Sequence, residues 1–335
     1  MTTRRTFLAG GLTAAVAATL AACSSGVPTT VQETGTPAAQ PVLDSDRLTT
    51  VLSRVQKGLD AADKAKDAKK LSGYLTGPAE RVRGEEYTLA SKAKDDSLIH
   101  VFDTTSQADA VGLTTGFPRT AITVTEGTKD DSVPYLLALT QDDARSSFEL
   151  WGWTRLYAGV EVPATSNASV GSEQVGAATG GLVATPAKVL EAYVDALNNP
   201  SGKNGKAFAD DPIRQRVKAE RGVDLGGIGE VTATAKAGSD GFQGLRTTDG
   251  GAIVMTTLSF DTVYANKVAG STFELGEPVS FLMGTNTSVT GTVTAHYDVV
   301  LTFSIPSQDT GGTSTVLGGE LVLAKVDRDD SKAPQ

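Results

Sequence analysis

Apolar positions in the first half of the chain change their spacing once. An apolar stripe at the spacing of one helix face is formed by Leu48, Val51, Leu52, Val55 and Leu59. After the break at Gly77 and Pro78, a second helix is predicted from Pro78 to about Lys92. Beyond it the period becomes two, which predicts strands over residues 98–103, 120–125, 133–141 and 147–157.

The second half repeats this order of elements. Thr185 and Pro186 mark a helix start, and the stripe that follows consists of Val189, Leu190, Tyr193, Val194 and Leu197. Residues 211–217 then resemble residues 77–83 at the matching place, which indicates an ancient duplication. Further strands are predicted over about 230–237, 251–264, 289–305 and 314–327.

Helices followed by a run of antiparallel strands predict an α+β fold, not the alternation of a nucleotide-binding sheet. We expect two similar domains, each with N-terminal helices packed on a curved antiparallel sheet. Their predicted boundaries are 44–163 and 185–328, followed by a tail over 329–335. The connector is predicted over 164–184, which is rich in Gly, Ser, Ala and Thr and has no aromatic residue.

The first residues are typical of a secretory signal. Arg4 and Arg5 precede an uncharged run over 7–22, which is shorter than the roughly 20 residues that a spanning helix needs. We therefore predict a signal peptide over 1–22. Residues 23–43, rich in Pro, Thr and Gly, are predicted to be a disordered tether.

Residues 3–8 resemble the twin-arginine export motif, and residues 20–23 resemble the lipobox of bacterial lipoproteins. The lipobox resemblance implies that the Cys23 thiol receives a diacylglyceryl group and that the peptide is cleaved before it. Acyl chains such as palmitate would then hold the protein on the membrane. The alternative is an ordinary signal peptide in which Cys23 is incidental.

The net charge and the counts of His and Cys exclude several classes of function. The formal net charge is −9, and it becomes −11 once Arg4 and Arg5 leave with the signal peptide, so binding to nucleic acid is not expected. Two His and one Cys exclude a disulfide scaffold, cysteine zinc sites and histidine-rich metal centres. We expect no metal and no cofactor. An acidic body does not adhere to anionic lipid, so the membrane contact is predicted to run through Cys23.

Two wider resemblances concern the fold. The helix-then-strand plan resembles the cone-shaped cystatin-like folds typified by nuclear transport factor two. The whole mature chain also resembles an uncharacterised family of actinobacterial surface lipoproteins. That resemblance is carried by the lipobox, residues 75–79 with Arg81 and Arg83, residues 151–153 and 159–163, and residues 207–212 with Arg214. Since that family has no assigned activity, the resemblance implies only the architecture and an extracytoplasmic location at the cell membrane.

Histidine offers the best acid–base candidate. His100 and His296 lie in predicted strands, one in each half, and Asp298 follows His296 by two residues and so shares its sheet face. The pair His296 and Asp298 could act as general base and orienting carboxylate if a pocket lay beside it. The alternative is an exposed polar pair with no chemistry.

Four other residues are candidates for a ligand groove. Trp151 and Trp153 share one face of a strand and could line a groove, or they could pack in the core. Arg81 and Arg214 occupy equivalent places in the two halves and could capture an anion, or they could form salt bridges between helix and sheet.

The sequence lacks the common catalytic motifs: it has no Gly-x-Ser-x-Gly elbow, phosphate loop or dinucleotide fingerprint. We therefore expect a non-catalytic binding or scaffolding module at the cell envelope, with an envelope protein as a possible partner. The alternative is a carrier of lipid or a small molecule, which a cavity above about 300 Å³ would favour. A third hypothesis is an enzyme that uses His296 and Asp298.

Overall fold

The first apolar stripe forms a long helix in the computed structural model of the protein, which describes residues 38–127 and 132–335. Helix α1 spans Ser45–Ala65 and buries one side of the stripe. Asp44 caps its first turn, since its carboxylate accepts a hydrogen bond from the backbone N–H of Arg47 at 2.8 Å. The helix ends at Lys66, which adopts the left-handed conformation.

The other predicted helices are confirmed. Helix α2 starts with Pro78 in its first turn, and helix α3 starts with Pro186, where a missing backbone N–H costs nothing. The remaining helices of the described chain are short. The full set after α1 is α2 (Gly77–Ala93), α3 (Pro186–Asn198), α4 (Lys203–Ala207), α5 (Pro212–Arg221) and α6 (Val279–Met283).

Twelve strands are present in the described residues. In chain order they are β1 (Gln40–Pro41), β2 (Ser106–Thr114), β3 (Arg119–Thr125), β4 (Tyr135–Gln141), β5 (Glu149–Leu156), β6 (Ser172–Val175), β7 (Gly229–Arg246), β8 (Ala252–Asn266), β9 (Phe273–Glu274), β10 (Ser288–Val289), β11 (Thr292–Ile305) and β12 (Thr315–Asp329). Residues 98–103 are not a strand: a short 3-10 turn at Asp96–Leu98, capped by Asp95, is followed by irregular chain. The strand that follows, β2, begins at Ser106 and was not predicted.

Nine of these strands close into one mixed barrel. The order is β2-β3-β4-β5-β12-β11-β8-β7-β6, and β6 returns to pair with β2. All pairings are antiparallel except β2 with β6, which is parallel. Strand β1 pairs antiparallel with the end of β2, and β9 and β10 form a separate two-stranded antiparallel sheet.

The predicted fold class is therefore wrong. The expected architecture is two cystatin-like domains, each with helices on its own curved sheet, but the strands of both halves belong to one closed sheet. Unpaired sheet edges are unfavourable. Here the edge strands of the first half, β2 and β5, pair with β6 and β12 of the second half. The predicted connector, 164–184, contributes β6 to this closure, and residues Ala39–Gln335 form one compact unit.

The barrel is flattened, so that its two walls contact each other. The first wall comprises β2 to β5, and the second comprises β7, β8, β11 and β12. The Thr154 hydroxyl of the first wall lies 2.8 Å from the Thr302 hydroxyl of the second. A side chain at Gly152 would come within 2.7 Å of the Met255 sulfur, which explains glycine there.

Helices cover the outside of both walls. Residues of α1 and α2 share one hydrophobic cluster with β2 to β5, and residues of α3 and α5 share another with β7, β8, β11 and β12. Strand β4 is consequently buried on both faces along most of its length, which removes the polar alternation expected of a half-exposed strand. Among the described helices, none combines the length and apolar character needed to cross a bilayer.

Candidate functional site

An apolar cavity of about 550 Å³ lies at one end of the barrel. Residues 107–110 of β2 and alternate residues of β3 supply one side, the start of β8 supplies another, and residues 162–167 run across the opening. The lining is mainly aliphatic: Ala108, Ala110, Ile122, Val124, Pro134, Leu156, Val162, Pro163 and Ile253. A space of this size with few polar groups is typical of a small-molecule site.

A second cavity, of about 770 Å³, lies on the other side of the same segment. It opens where β5 leaves β12 and is bounded by residues 155–161, by the start of α5 and by β12. Its lining is more polar and includes Glu161, Asp210, Asp211 and Gln215. Asp211 is engaged in the fold, because its carboxylate accepts hydrogen bonds from the Tyr193 hydroxyl and from backbone N–H groups at the start of α5.

The segment between the two cavities, residues 157–165, is fixed at both ends. The Tyr157 backbone N–H donates to the Leu317 carbonyl at 2.9 Å, and the Thr248 N–H donates to the Ala164 carbonyl at 2.8 Å. The segment, called the strap below, therefore crosses the end of the barrel and is hydrogen-bonded to it at both ends. Leu156, the last residue of β5 and the one before the segment, lines both cavities.

A buried ionic cluster lies where α2 meets β12. Arg83 has no exposed surface, and its guanidinium donates to Glu86 at 2.5 Å and to the His100 carbonyl at 2.7 Å. Asp63 of α1 lies 3.3 Å from Arg83 Nε. His100 Nδ1 lies 2.7 Å from Glu86 Oε1, and His100 Nε2 lies 3.3 Å from Glu320 Oε1. The imidazole therefore bridges a carboxylate of α2 and a carboxylate of β12.

Burial raises the pKa of Glu320 to about 7, although the nearby His100 opposes that shift. Burial alone would lower the pKa of His100, but the hydrogen bond to Glu86 and the charges of Glu320 and Glu86 outweigh it and raise the pKa. Burial likewise raises the pKa of Asp63, with Arg83 opposing. The cluster thus holds protons near neutrality.

Glu86, His100 and Glu320 could in principle hold a metal ion, since one ligand atom from each lies within 4.8 Å of the others. Two features favour protons instead. Both imidazole nitrogens already face carboxylate oxygens, as the two N–H donors of an imidazolium would. The Arg83 guanidinium also occupies the second oxygen of Glu86, which places a positive charge beside any cation.

Helix α2 makes a second charged contact with the other wall. Arg81 forms ion pairs with Asp240 of β7 at 2.9 Å and with Asp298 of β11 at 2.5 Å. Glu85 lies one turn further along α2, and one of its carboxylate oxygens is buried without a hydrogen bond. Burial, with a further contribution from the charge of Asp298, raises the pKa of Glu85 to about 8.

The structure places the predicted groove residues outside both cavities. Trp151 and Trp153 are buried against the helices, and the Trp153 ring lies 5.3 Å from the Arg83 guanidinium carbon. Arg81 is held in its ion pairs. Arg214 donates to the backbone carbonyls of Gly205, Phe208 and Ala209, and so it fixes the loop that borders the larger cavity.

The hydrogen bonds of His296 and of Asp298 go to other residues and not to each other. His296 lies between Asp261 of β8, at 2.7 Å, and Asp327 of β12, at 3.1 Å, while Asp298 belongs to the Arg81 contact. The remaining predicted residues, Cys23, Arg4 and Arg5, lie outside the described residues.

Sequence reasoning missed the residues that form the buried cluster with His100. One signal was present: Glu86 falls on the apolar side of a predicted helix, between Val82 and Leu89. Glu320 similarly interrupts an apolar strand between Leu317 and Val322. A charged residue in such a place requires a partner. The partners lie far apart in sequence, so the sequence did not identify them.

Comparisons with curated proteins and with solved structures found no match to this chain. A family model described as "Domain of unknown function (DUF8094)" matches residues 39–323, which include eight of the nine barrel strands, the first part of β12 and the buried cluster. Because this match covers most of the sequence, the chain belongs to the DUF8094 family of unknown function.

Proposed function

We propose that the protein is a lipid-anchored binding module on the extracytoplasmic face of the cell membrane, and that it carries a small apolar ligand in the cavity at the end of its barrel. The observation that supports this most directly is the cavity of about 550 Å³ lined by aliphatic side chains. Its volume exceeds the roughly 300 Å³ that separates a carrier from a module that binds only through its surface.

The chemistry of the lining supports an uncharged ligand. The ionisable side chain in the lining is that of Asp109, which already accepts hydrogen bonds from the hydroxyls of Ser106 at 2.5 Å and Thr123 at 2.7 Å. A ligand would therefore be held by burial of apolar surface, at about 25 cal/mol per Å², rather than by ion pairing.

The position of the cavity fits an anchored protein. Strand β1, through which the N-terminal segment joins the barrel, pairs with β2 at Leu113 and Thr114. The cavity is lined by the other end of β2, at Ala108 and Ala110, roughly 15 Å away at about 3.4 Å per residue. Ligand would therefore enter and leave at the end of β2 that is remote from the anchored segment.

Binding of the apolar dye N-phenyl-1-naphthylamine to the chain carrying Cys23→Ser tests the ligand proposal, because that substitution keeps lipid and detergent out of the assay. We expect a dissociation constant on the order of micromolar. Ala108→Trp fills the cavity from an exposed position and should weaken binding at least about tenfold, as about 1.4 kcal/mol of lost affinity.

Ala237→Trp is the matched control, because Ala237 is also an exposed strand alanine but lies outside the cavity. Equal loss of binding in both variants, or no dye binding by the parent chain, would refute the ligand proposal. The anchor is tested separately by cell fractionation: the native chain should remain with the membrane and the Cys23→Ser chain should not. A Cys23→Ser chain still held on the membrane contradicts the anchor.

A further inference from the structure

The pairing of β5 with β12, called the seam below, is short. It consists of Gly318 opposite Leu156 and Gly319 opposite Arg155. By contrast, β8 and β11 pair continuously from Thr292 to Ile305. At Gly319 a side chain would lie 2.3 Å from the Tyr157 hydroxyl, so the strands approach closely there, and the two glycines of β12 contribute no side chains to the pairing. The seam therefore depends on neighbouring elements for its stability.

Helix α2 is the element that spans the seam from outside, since it packs on both β5 and β12. On the β5 side it contributes Arg83, which lies against Trp153. On the β12 side it contributes Glu86, which reaches Glu320 through His100. The chain of contacts Glu86–His100–Glu320 thus ties the two walls together beside the seam.

The charges in this chain of contacts balance in one protonation state only. With His100 protonated and Glu320 neutral, the cations Arg83 and His100 face the carboxylates Asp63 and Glu86, and the charges cancel. When His100 is neutral and Glu320 is ionised, three carboxylates face a single guanidinium. Because Glu320 is only 7% exposed, water compensates this excess poorly.

Four charged or titratable side chains interact with Glu320. They are His100 from the segment before β2, Glu86 and Arg83 from α2, and Tyr157 from the strap. Burial, together with the charges of Asp211 and Glu320, raises the pKa of Tyr157 far above neutrality, so Tyr157 stays uncharged in this range. A second carboxyl on α2, Glu85, faces Arg81, Asp298 and Glu86.

We propose that Glu86, His100 and Glu320 form a pH-sensitive latch, which holds α2 against β12 and closes the seam in mild acid and loosens it in mild alkali. The larger cavity is lined by residues on both strands of the seam, Arg155 and Leu156 on one and Leu317 and Gly319 on the other. Loosening therefore widens access to that cavity. The latch does not depend on the proposed ligand or anchor.

Tryptophan emission of the full chain, titrated from pH 5.5 to 8.5, tests the latch, because Trp153 lies against Arg83. We expect a step with its midpoint near pH 7. Amide hydrogen exchange of residues 315–321, corrected for intrinsic rates, should be at least about tenfold less protected at pH 8.5 than at pH 6. Glu320→Gln cannot ionise and should lose both changes. A Glu85→Gln chain should keep the step, because Glu85 lies outside the latch.

Asp327→Asn is the matched control, because Asp327 is the β12 carboxylate that contacts the other histidine at an exposed position. It should leave both readouts unchanged. If Glu320→Gln does not fold, His100→Gln replaces it, since His100 is 40% exposed whereas Glu320 is buried. Loss of the imidazole charge should move the midpoint upward by about one unit.

A flat emission profile in the native chain, or the native step persisting in Glu320→Gln, refutes the latch. A third outcome also overturns it. If micromolar Zn²⁺ removes the step in the native chain but not in His100→Gln, and a chelator restores it, the three side chains form a cation site rather than a latch.

Discussion

The two histidines of the chain lie in almost the same hydrogen-bonding arrangement but in different surroundings. Each imidazole bridges two carboxylates through its two nitrogens: His100 between Glu86 and Glu320, and His296 between Asp261 and Asp327. At His100 both carboxylates are buried, with 1% and 7% of their side chains exposed. At His296 they are 30% and 50% exposed.

Hydrogen-bond contacts alone do not shift the pKa values of these carboxyl groups toward neutrality, because burial is also needed. Around His100, burial shifts the pKa of Glu320 and of Asp63 upward, and a buried guanidinium is needed to balance the carboxylates. Around His296, water shares the charge, and the hydrogen bonds from Lys325 and His296 lower the pKa of Asp327. We therefore expect equivalent substitutions at the two sites to differ strongly in effect.

Removal of the balancing cation should give the largest difference. Arg83→Met leaves Asp63 and Glu86 buried without their partner, and it should lower the free energy of unfolding by about 3–5 kcal/mol. Lys325→Met removes the cation that pairs with Asp327 at the exposed site and should cost less than about 0.5 kcal/mol. Urea unfolding at pH 7 measures both. Similar losses in the two variants would contradict the role assigned to burial.

The pH dependence of stability should be the next largest effect. Glu320 and Glu85 have raised pKa values in the folded protein, so their stabilising contribution is complete below about pH 4.3 and is lost as pH rises toward 7 and 8. The free energy of unfolding should therefore fall between pH 5.5 and 8.5, on the order of 1.4 kcal/mol for each unit of pKa shift titrated in that interval. Thermal unfolding in matched buffers measures this slope.

Substitutions show which carboxyl groups cause the fall of the unfolding free energy with pH. The double substitution Glu320→Gln with Glu85→Gln should flatten it. Asp327→Asn should preserve it, because a carboxyl with a lowered pKa contributes stability that is lost only as pH falls through about 4 and below. A slope that survives the double substitution would place the titrating groups elsewhere.

The smallest expected effect is a difference in how salt changes the stability cost of substituting the two histidines. His296→Gln is expected to cost less than about 0.5 kcal/mol, and that cost should disappear in about 1 M NaCl, because exposed charges are screened. His100→Gln should cost about 1–3 kcal/mol at both salt concentrations, since it leaves buried carboxylates without a donor. Equal salt sensitivity of the two variants would mean that water reaches both sites alike.

Local patterns in the sequence predicted several elements correctly. The stripe from Leu48 to Leu59 and the Thr185–Pro186 start both mark real helices, because helical spacing and capping are short-range properties. Strand β2 was missed, since its Ala and Gly residues carry little or no apolar side chain and give no clear alternation. A side chain at Gly112 would lie 2.4 Å from Gln174.

The closure of the barrel could not be predicted from those patterns. Whether the edge of β5 stays open or pairs with β12 depends on contacts between distant parts of the chain, and the two residues that make the seam on β12 are glycines without side-chain preference. The same limit applied to His296. Its neighbour Asp298 shares its sheet face, but the cross-strand register brings Asp261 opposite His296 instead.

The seam also has a consequence for biosynthesis. Leu156 cannot meet its partner Gly318 until residue 318 has been synthesised and has left the ribosome, and closing so long a loop is entropically costly and slow. Until then β5 presents an open edge to other nascent chains, and such edges promote aggregation. Chains that stop short of residue 318 should therefore accumulate as insoluble fragments.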